Sequence, residues 1–83
     1  MTLTKQDLLS VFEEAENRDY PYVFVKIEAE GVEELIIIPS RSFKAKKDFY
    51  RGAYNNDLTH VMNKNVKIMD AGYGNQLDIS KFI

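Results

Sequence analysis

The chain has no cysteine, a single histidine, two prolines and four glycines among its 83 residues. Each scarcity excludes something. Without cysteine there is no disulfide, no thiolate zinc site and no thiol nucleophile. Small secreted domains usually rely on disulfides, so their absence points to a reducing compartment and a cytoplasmic protein. Any Ser-His-Asp arrangement would have to use His60, and none of Ser10, Ser40, Ser42 and Ser80 sits in a Gly-x-Ser-x-Gly elbow. The longest apolar run is Leu35-Ile36-Ile37-Ile38, far short of the roughly 20 residues that span a bilayer. The N-terminal residues lack the basic start and apolar stretch of a signal peptide, so no membrane partner is expected. There is no Walker sequence. Gly72-Tyr73-Gly74 opens like a dinucleotide fingerprint, but Leu77 stands where the third glycine belongs; it reads as a turn, and no cofactor is implied.

The chain does have core-forming residues. Hydrophobic residues make up 45% of it, including five tyrosines and five phenylalanines. That suits one small domain, which must bury its apolar surface efficiently to fold without staples. Thr4 with Asp7 forms a variant capping box, and Leu8, Leu9, Val11, Phe12 and Ala15 then share one arc of a helix. Pro21 disfavours helical geometry at Tyr20, so the helix should end near Asn17 to Asp19.

From Tyr22 to Glu30 the period changes to two. Val23, Val25, Ile27 and Ala29 point one way, with Tyr22, Phe24, Lys26, Glu28 and Glu30 opposite. Gly31 supplies a hairpin turn into a second strand, Glu33 to Ile38, whose apolar run predicts a central strand covered on both faces.

Ser42 is placed to cap a second helix reaching about Tyr54, with Phe43, Phe49, Tyr50, Ala53 and Tyr54 inward and Lys44, Lys47, Asp48 and Arg51 outward. One helical turn is expected over Leu58 to Met62. A third strand follows, in which Val66, Ile68 and Asp70 alternate with Lys67, Met69 and Ala71. Leu77, Ile79, Phe82 and Ile83 form an apolar tail. The expected fold is α+β, in the order α-β-β-α-β plus a short C-terminal segment, with about three mainly antiparallel strands and both helices on one face. The other face would expose Tyr22 and Phe24 unless the tail or a second copy covers it, which leaves the chain a monomer or a homodimer.

Charge is unevenly distributed. Residues 1–34 hold nine acids against three bases, and residues 35–83 hold eight bases against four acids. Glu28, Glu30, Glu33 and Glu34 bracket the hairpin turn and could mimic phosphates in a basic cleft; the plainer reading is solubility and edge protection. Lys44, Lys47 and Arg51 make a basic stripe with Arg41 nearby, but Asp48 interrupts it and the pI near 5.3 opposes general nucleic-acid affinity. Asp57 and His60, three apart, would share a helical face as metal ligands; a capping aspartate beside an exposed histidine is the alternative.

The stretch from Ile36 to Gly74 resembles small proteins encoded by phages and prophages of Gram-positive bacteria. It is carried by an apolar strand, a Lys-rich helix with Phe49-Tyr50 and Ala53-Tyr54, and an Asn-rich turn before a short strand. The resemblance covers about half the chain and brings no catalytic residues with it. It implies a non-enzymatic protein that binds a host or phage protein, such as an anti-CRISPR inhibitor of an RNA-guided nuclease. The surfaces to test are Glu28, Glu30, Glu33 and Glu34, and Lys44, Lys47 and Arg51. The alternatives are a nucleic-acid-binding accessory protein using the basic helix face and a small metal-binding protein using Asp57 and His60.

Overall fold

The computed structural model describes residues 3–82, with side chains through Ser80. The expectation that the side chains of Phe82 and Ile83 join an apolar tail lies outside the described residues. Helix α1 spans Lys5–Asn17 and opens on a complete capping box: Thr4 Oγ1 accepts from the Asp7 amide, and the Asp7 carboxylate accepts from the Thr4 amide at 2.9 Å. Leu8, Leu9, Phe12 and Ala15 are its buried face. It ends at Asn17, two residues before the limit that Pro21 imposes through Tyr20. Asp19 adopts a left-handed φ of 60°, the Tyr20 amide donates to the Ala15 carbonyl and the Asp19 amide to that of Glu16, which together form a Schellman closure.

Strands β1 (Tyr22–Ala29) and β2 (Val32–Pro39) form a hairpin in continuous antiparallel register, from Tyr22 opposite Pro39 to Ala29 opposite Val32. The two-residue loop has φ of 52° at Glu30 and 85° at Gly31. Positive φ at both positions is the turn that matches the right-handed twist of paired strands. Strand β3 (Val66–Gly74) pairs antiparallel with the other side of β1, so the sheet order is β2-β1-β3.

The apolar run Leu35 to Ile38 therefore lies on an edge strand, not the centre. Its alternate residues divide between faces: Ile36 and Ile38 sit opposite Val25 and Val23 on the helix side, and Leu35 and Ile37 lie on the other. The central place goes to β1, whose Val23, Phe24 and Val25 are all buried.

Strand β3 is longer than expected and changes phase. Ile68 faces Ile27 but Asp70 faces Lys26, so Met69 is an extra residue, a β-bulge. The bulge turns Asp70 to the second face and brings Ala71 and Tyr73 onto the helix side with Val66 and Ile68. Gly72 and Gly74 are consequently strand residues opposite Phe24 and Tyr22, not a turn. A Cβ on Gly74 would stand 2.5 Å from Asp78 Oδ2, because the 3₁₀ turn (Gln76–Asp78) brings Asp78 back against the end of β3; helix α3 (Ile79–Phe82) follows it.

Helix α2 (Phe43–Ala53) packs beside α1 above the sheet. A 3₁₀ turn over Ser40–Ser42 leads into it, and Ser42 makes no side-chain capping bond, contrary to the sequence reading. Phe43, Tyr50 and Tyr54 are buried, whereas Phe49 is half-exposed. The core joins Leu8, Phe12 and Ala15 to Val23, Val25, Ile38, Phe43, Tyr50, Tyr54, Leu58 and Ile68.

Phe24 points away from this core yet is only 1% exposed. Gly52 is the exposed weak point of α2, and a methyl group there would meet no heavy atom within 4 Å. Gly52→Ala is expected to stabilise the fold by about 0.5–1 kcal/mol, read as a raised urea midpoint with unchanged slope; no gain would mean that the last turn of α2 is frayed.

Candidate functional site

The acidic residues singled out in the sequence converge on one end of the molecule but not on one face. Glu28 and Glu33 are a directly opposed cross-strand pair on the second face, and Lys67 flanks Glu28 from the β3 side. Glu34 lies opposite Ile27 on the helix side, and Glu30 occupies the turn itself. Glu30, Glu33 and Glu34 are exposed and Glu28 is half-buried. None of the four forms an ion pair among the described residues. Glu28, Glu30 and Gly31 line one side of an open groove of about 490 Å³, with Lys64, Asn65, Lys67 and Met69 on the other.

The turn is held in place from outside the hairpin. The Glu30 amide donates to the Asn65 carbonyl at 3.0 Å, and Asn63 Oδ1 accepts from the Asn65 amide at 2.9 Å. The sequence did not reveal Lys64 and Lys67 as neighbours of the acids, since only the β1–β3 pairing brings them there. The signal available was the alternation that puts Lys67 out of phase with Val66 and Ile68.

The basic stripe is partly neutralised within the fold. Lys47 Nζ lies 3.4 Å from Glu16 Oε1 and its side chain is only 19% exposed, while Arg51 donates to Asp48 Oδ1 at 2.8 Å. Lys44 and Arg41 remain exposed and, with Glu16 and Asp19, line a second depression of about 270 Å³ between the ends of α1 and α2. Lys46 places its ammonium 5.4 Å from the Phe49 ring centroid, so the apolar ring on this flank carries a cation over it.

Asp57 and His60 do not share a helical face, because residues 58–62 are not a helical turn. Leu58 takes a φ of 68°, which swings its side chain into the core at full burial, and Thr59 and His60 make isolated bridges to Lys67 and Tyr54. Asp57 Oδ1 accepts from the Thr59 hydroxyl at 2.6 Å and from the Thr59 amide at 3.1 Å. Those bonds, the hydroxyl's first, hold its carboxyl below the usual range.

His60 Nδ1 accepts from the Met62 amide at 3.0 Å, and the ring stands edge-on to Tyr54 at 5.1 Å. Both residues serve local turn geometry. Among the described residues no three His, Cys, Asp or Glu side chains are grouped to hold a metal ion, and no helix is long and apolar enough to cross a membrane.

What the arrangement offers chemically is surface. It combines a rigid hairpin with uncompensated carboxylates, a groove with basic residues on its far wall, and an adjoining β2 edge that bears Leu35 and Ile37. No protein-family model, no curated protein and no solved structure matches this chain.

Proposed function

We propose that the domain acts by binding another protein, through the acidic end of the β1–β2 hairpin, and that it performs no catalysis. The observation that carries this is the contrast between the two charged surfaces. Among the described residues the hairpin acids Glu30, Glu33 and Glu34 stay exposed without an ion pair on a turn fixed by positive φ, whereas Lys47 and Arg51 of the helix face are already paired with Glu16 and Asp48. Carboxylates held on a rigid protrusion suit a basic cleft, because electrostatic complementarity steers encounter and fixes register.

The resemblance to small phage proteins supplies the specific form to test first: a phage-encoded inhibitor of a host defence nuclease, of the anti-CRISPR type, working in the host cytoplasm. Burial of Phe24 and the pairing of Lys47 and Arg51 take support away from the nucleic-acid-binding alternative, which would show affinity falling steeply with salt.

The test is inhibition of purified RNA-guided nucleases by the wild-type chain and two charge-reversed forms. Replacing Glu28, Glu30, Glu33 and Glu34 together with lysine is expected to weaken inhibition at least about tenfold. Replacing Lys44, Lys47 and Arg51 with glutamate is expected to change it little. Loss only in the second set would move the interface to the helix face, and full potency in both would exclude the two surfaces.

A further inference from the structure

The two edges of the sheet are treated differently, and the difference identifies a surface. The outer edge of β3 is bent by the bulge at Met69 and covered at its start by the chain before it: the Ile68 amide donates to the Leu58 carbonyl at 3.0 Å and the His60 amide to the Val66 carbonyl at 2.9 Å. Both are recognised ways of blocking further strand pairing. Among the described residues the outer edge of β2 has neither. It runs eight residues in unbroken register, carries no lysine, and meets proline only at its last residue, Pro39.

The hairpin fixes which backbone groups are left over. In a two-residue hairpin the residues flanking the loop, here Ala29 and Val32, exchange both backbone bonds, and the pattern then alternates along the strands. Val32, Glu34, Ile36 and Ile38 are therefore bonded to β1. Glu33, Leu35 and Ile37 direct their N–H and C=O groups outward, and their side chains lie on the second face, where Leu35 is half-buried and Ile37 is 42% exposed.

We infer that this edge pairs antiparallel with β2 of a second copy of the chain, about a twofold axis at Leu35, to make one six-stranded sheet. The sequence of β2 selects that register. With the axis at Leu35, that residue faces the partner's Leu35 and Glu33 faces the partner's Ile37. The outward residues of both copies are then all used, in about six N–H···O=C bonds.

On the helix side Glu34 faces the partner's Ile36, so no acid opposes an acid. An axis at Glu33 or Glu34 would set like charges directly opposite one another, which destabilises a pair. An axis at Ile36 or Ile37 would draw Pro39, which has no N–H, into the ladder. Glu33 and Glu34 belong to the paired span as well as to the acidic docking surface, whereas Leu35 and Ile37 belong to the span alone, so the dimer is tested at those two positions.

A pair of substitutions at one exposed site reads the register directly. Ile37→Glu sets a carboxylate opposite the partner's Glu33 and is expected to weaken association at least about tenfold, whereas Ile37→Lys sets an ammonium there and is expected to preserve it. The measurement is sedimentation equilibrium up to about 1 mM, a range that detects even weak pairs, with the wild type expected at twice the chain mass.

Because the chain has no cysteine, an introduced thiol gives an unambiguous second reading. Leu35→Cys is expected to form an intermolecular disulfide, since opposed Cα atoms in a bonded antiparallel pair lie about 5.5 Å apart, within disulfide reach. Glu33→Cys is not expected to do so, since the two copies of that residue would stand roughly 13 Å apart along the strand direction. A wild-type monomer at the highest concentration would overturn the proposal. Equal behaviour of the two Ile37 variants, or crosslinking through Glu33→Cys in place of Leu35→Cys, would overturn the register.

Discussion

Phe12→Ala is expected to lower the unfolding free energy by about 3–5 kcal/mol, the range for truncating a fully buried phenylalanine. Phe12 has no exposure and joins the two helices: its ring meets Phe43 edge-on at 5.7 Å and lies 6.0 Å from Tyr50. Leu8 and Ala15 flank it on α1, with the valines of β1 beneath. No neighbour can collapse into the space without giving up its own contacts, and that is the condition under which a cavity adds fully to the lost transfer energy. An 83-residue domain holds a total stability of about 4–12 kcal/mol, so the substitution removes about a quarter of it or more. Urea unfolding followed by circular dichroism measures the loss. Phe12→Leu, which keeps most of the volume, should lose under about 1.5 kcal/mol. A loss below about 1 kcal/mol in Phe12→Ala would mean that the seam between α1 and α2 is not part of the cooperative core.

The second large effect appears at alkaline pH. Burial holds the Tyr50 hydroxyl proton well beyond its ordinary range, with the neighbouring Tyr54 adding to the shift, and its pKa is pushed up from 10.0 to about 12. Burial raises the Tyr54 pKa as well. In the unfolded chain Tyr50 releases its proton near the ordinary value, so between those two pH values the native state binds more protons than the unfolded state, and raising the pH favours unfolding. The contribution is whole below about pH 10 and is lost as pH rises through about 12, amounting to about 2–3 kcal/mol for this residue.

Stability measured from pH 8 to pH 12, about the span of the transition, should fall in that window. Tyr50→Phe should keep the ring packing and remove most of the fall. If the phenylalanine variant loses stability as steeply as the wild type, Tyr54 carries the alkaline transition instead.

Some corrections to the sequence reading share one cause. Leu35 to Ile38 is the most apolar stretch in the chain, and apolar runs on both faces usually mark a central strand. Here the run lies at an edge, because β1 finds a second partner in β3 and only one of the two hairpin strands can have a strand on each side. The alternation of Val66, Ile68 and Asp70 is regular on paper, but the bulge at Met69 resets it and recruits Ala71 and Tyr73 to the core side. Gly72-Tyr73-Gly74 resembles a turn by composition. It is a strand because the glycines lie on the face where Phe24 is buried and Asp78 approaches.

Local chemistry wrote the rest. The Thr4–Asp7 capping box, the arc of Leu8, Leu9, Phe12 and Ala15, the two-fold alternation of β1 and the turn at Gly31 depend on neighbours within four residues, so the sequence alone determined α1, the hairpin and the α+β order, while the structure moves Glu30 from the strand into the turn. The candidate site divides the same way: the clustering of acids about Gly31 was legible, and their meeting with Lys64 and Lys67 was not. Strand order, the bulge, the left-handed Leu58 and the open edge of β2 were decided only in the tertiary structure. Each depends on which distant surface competes for a given backbone edge or apolar face, and that competition is settled by packing across the whole chain.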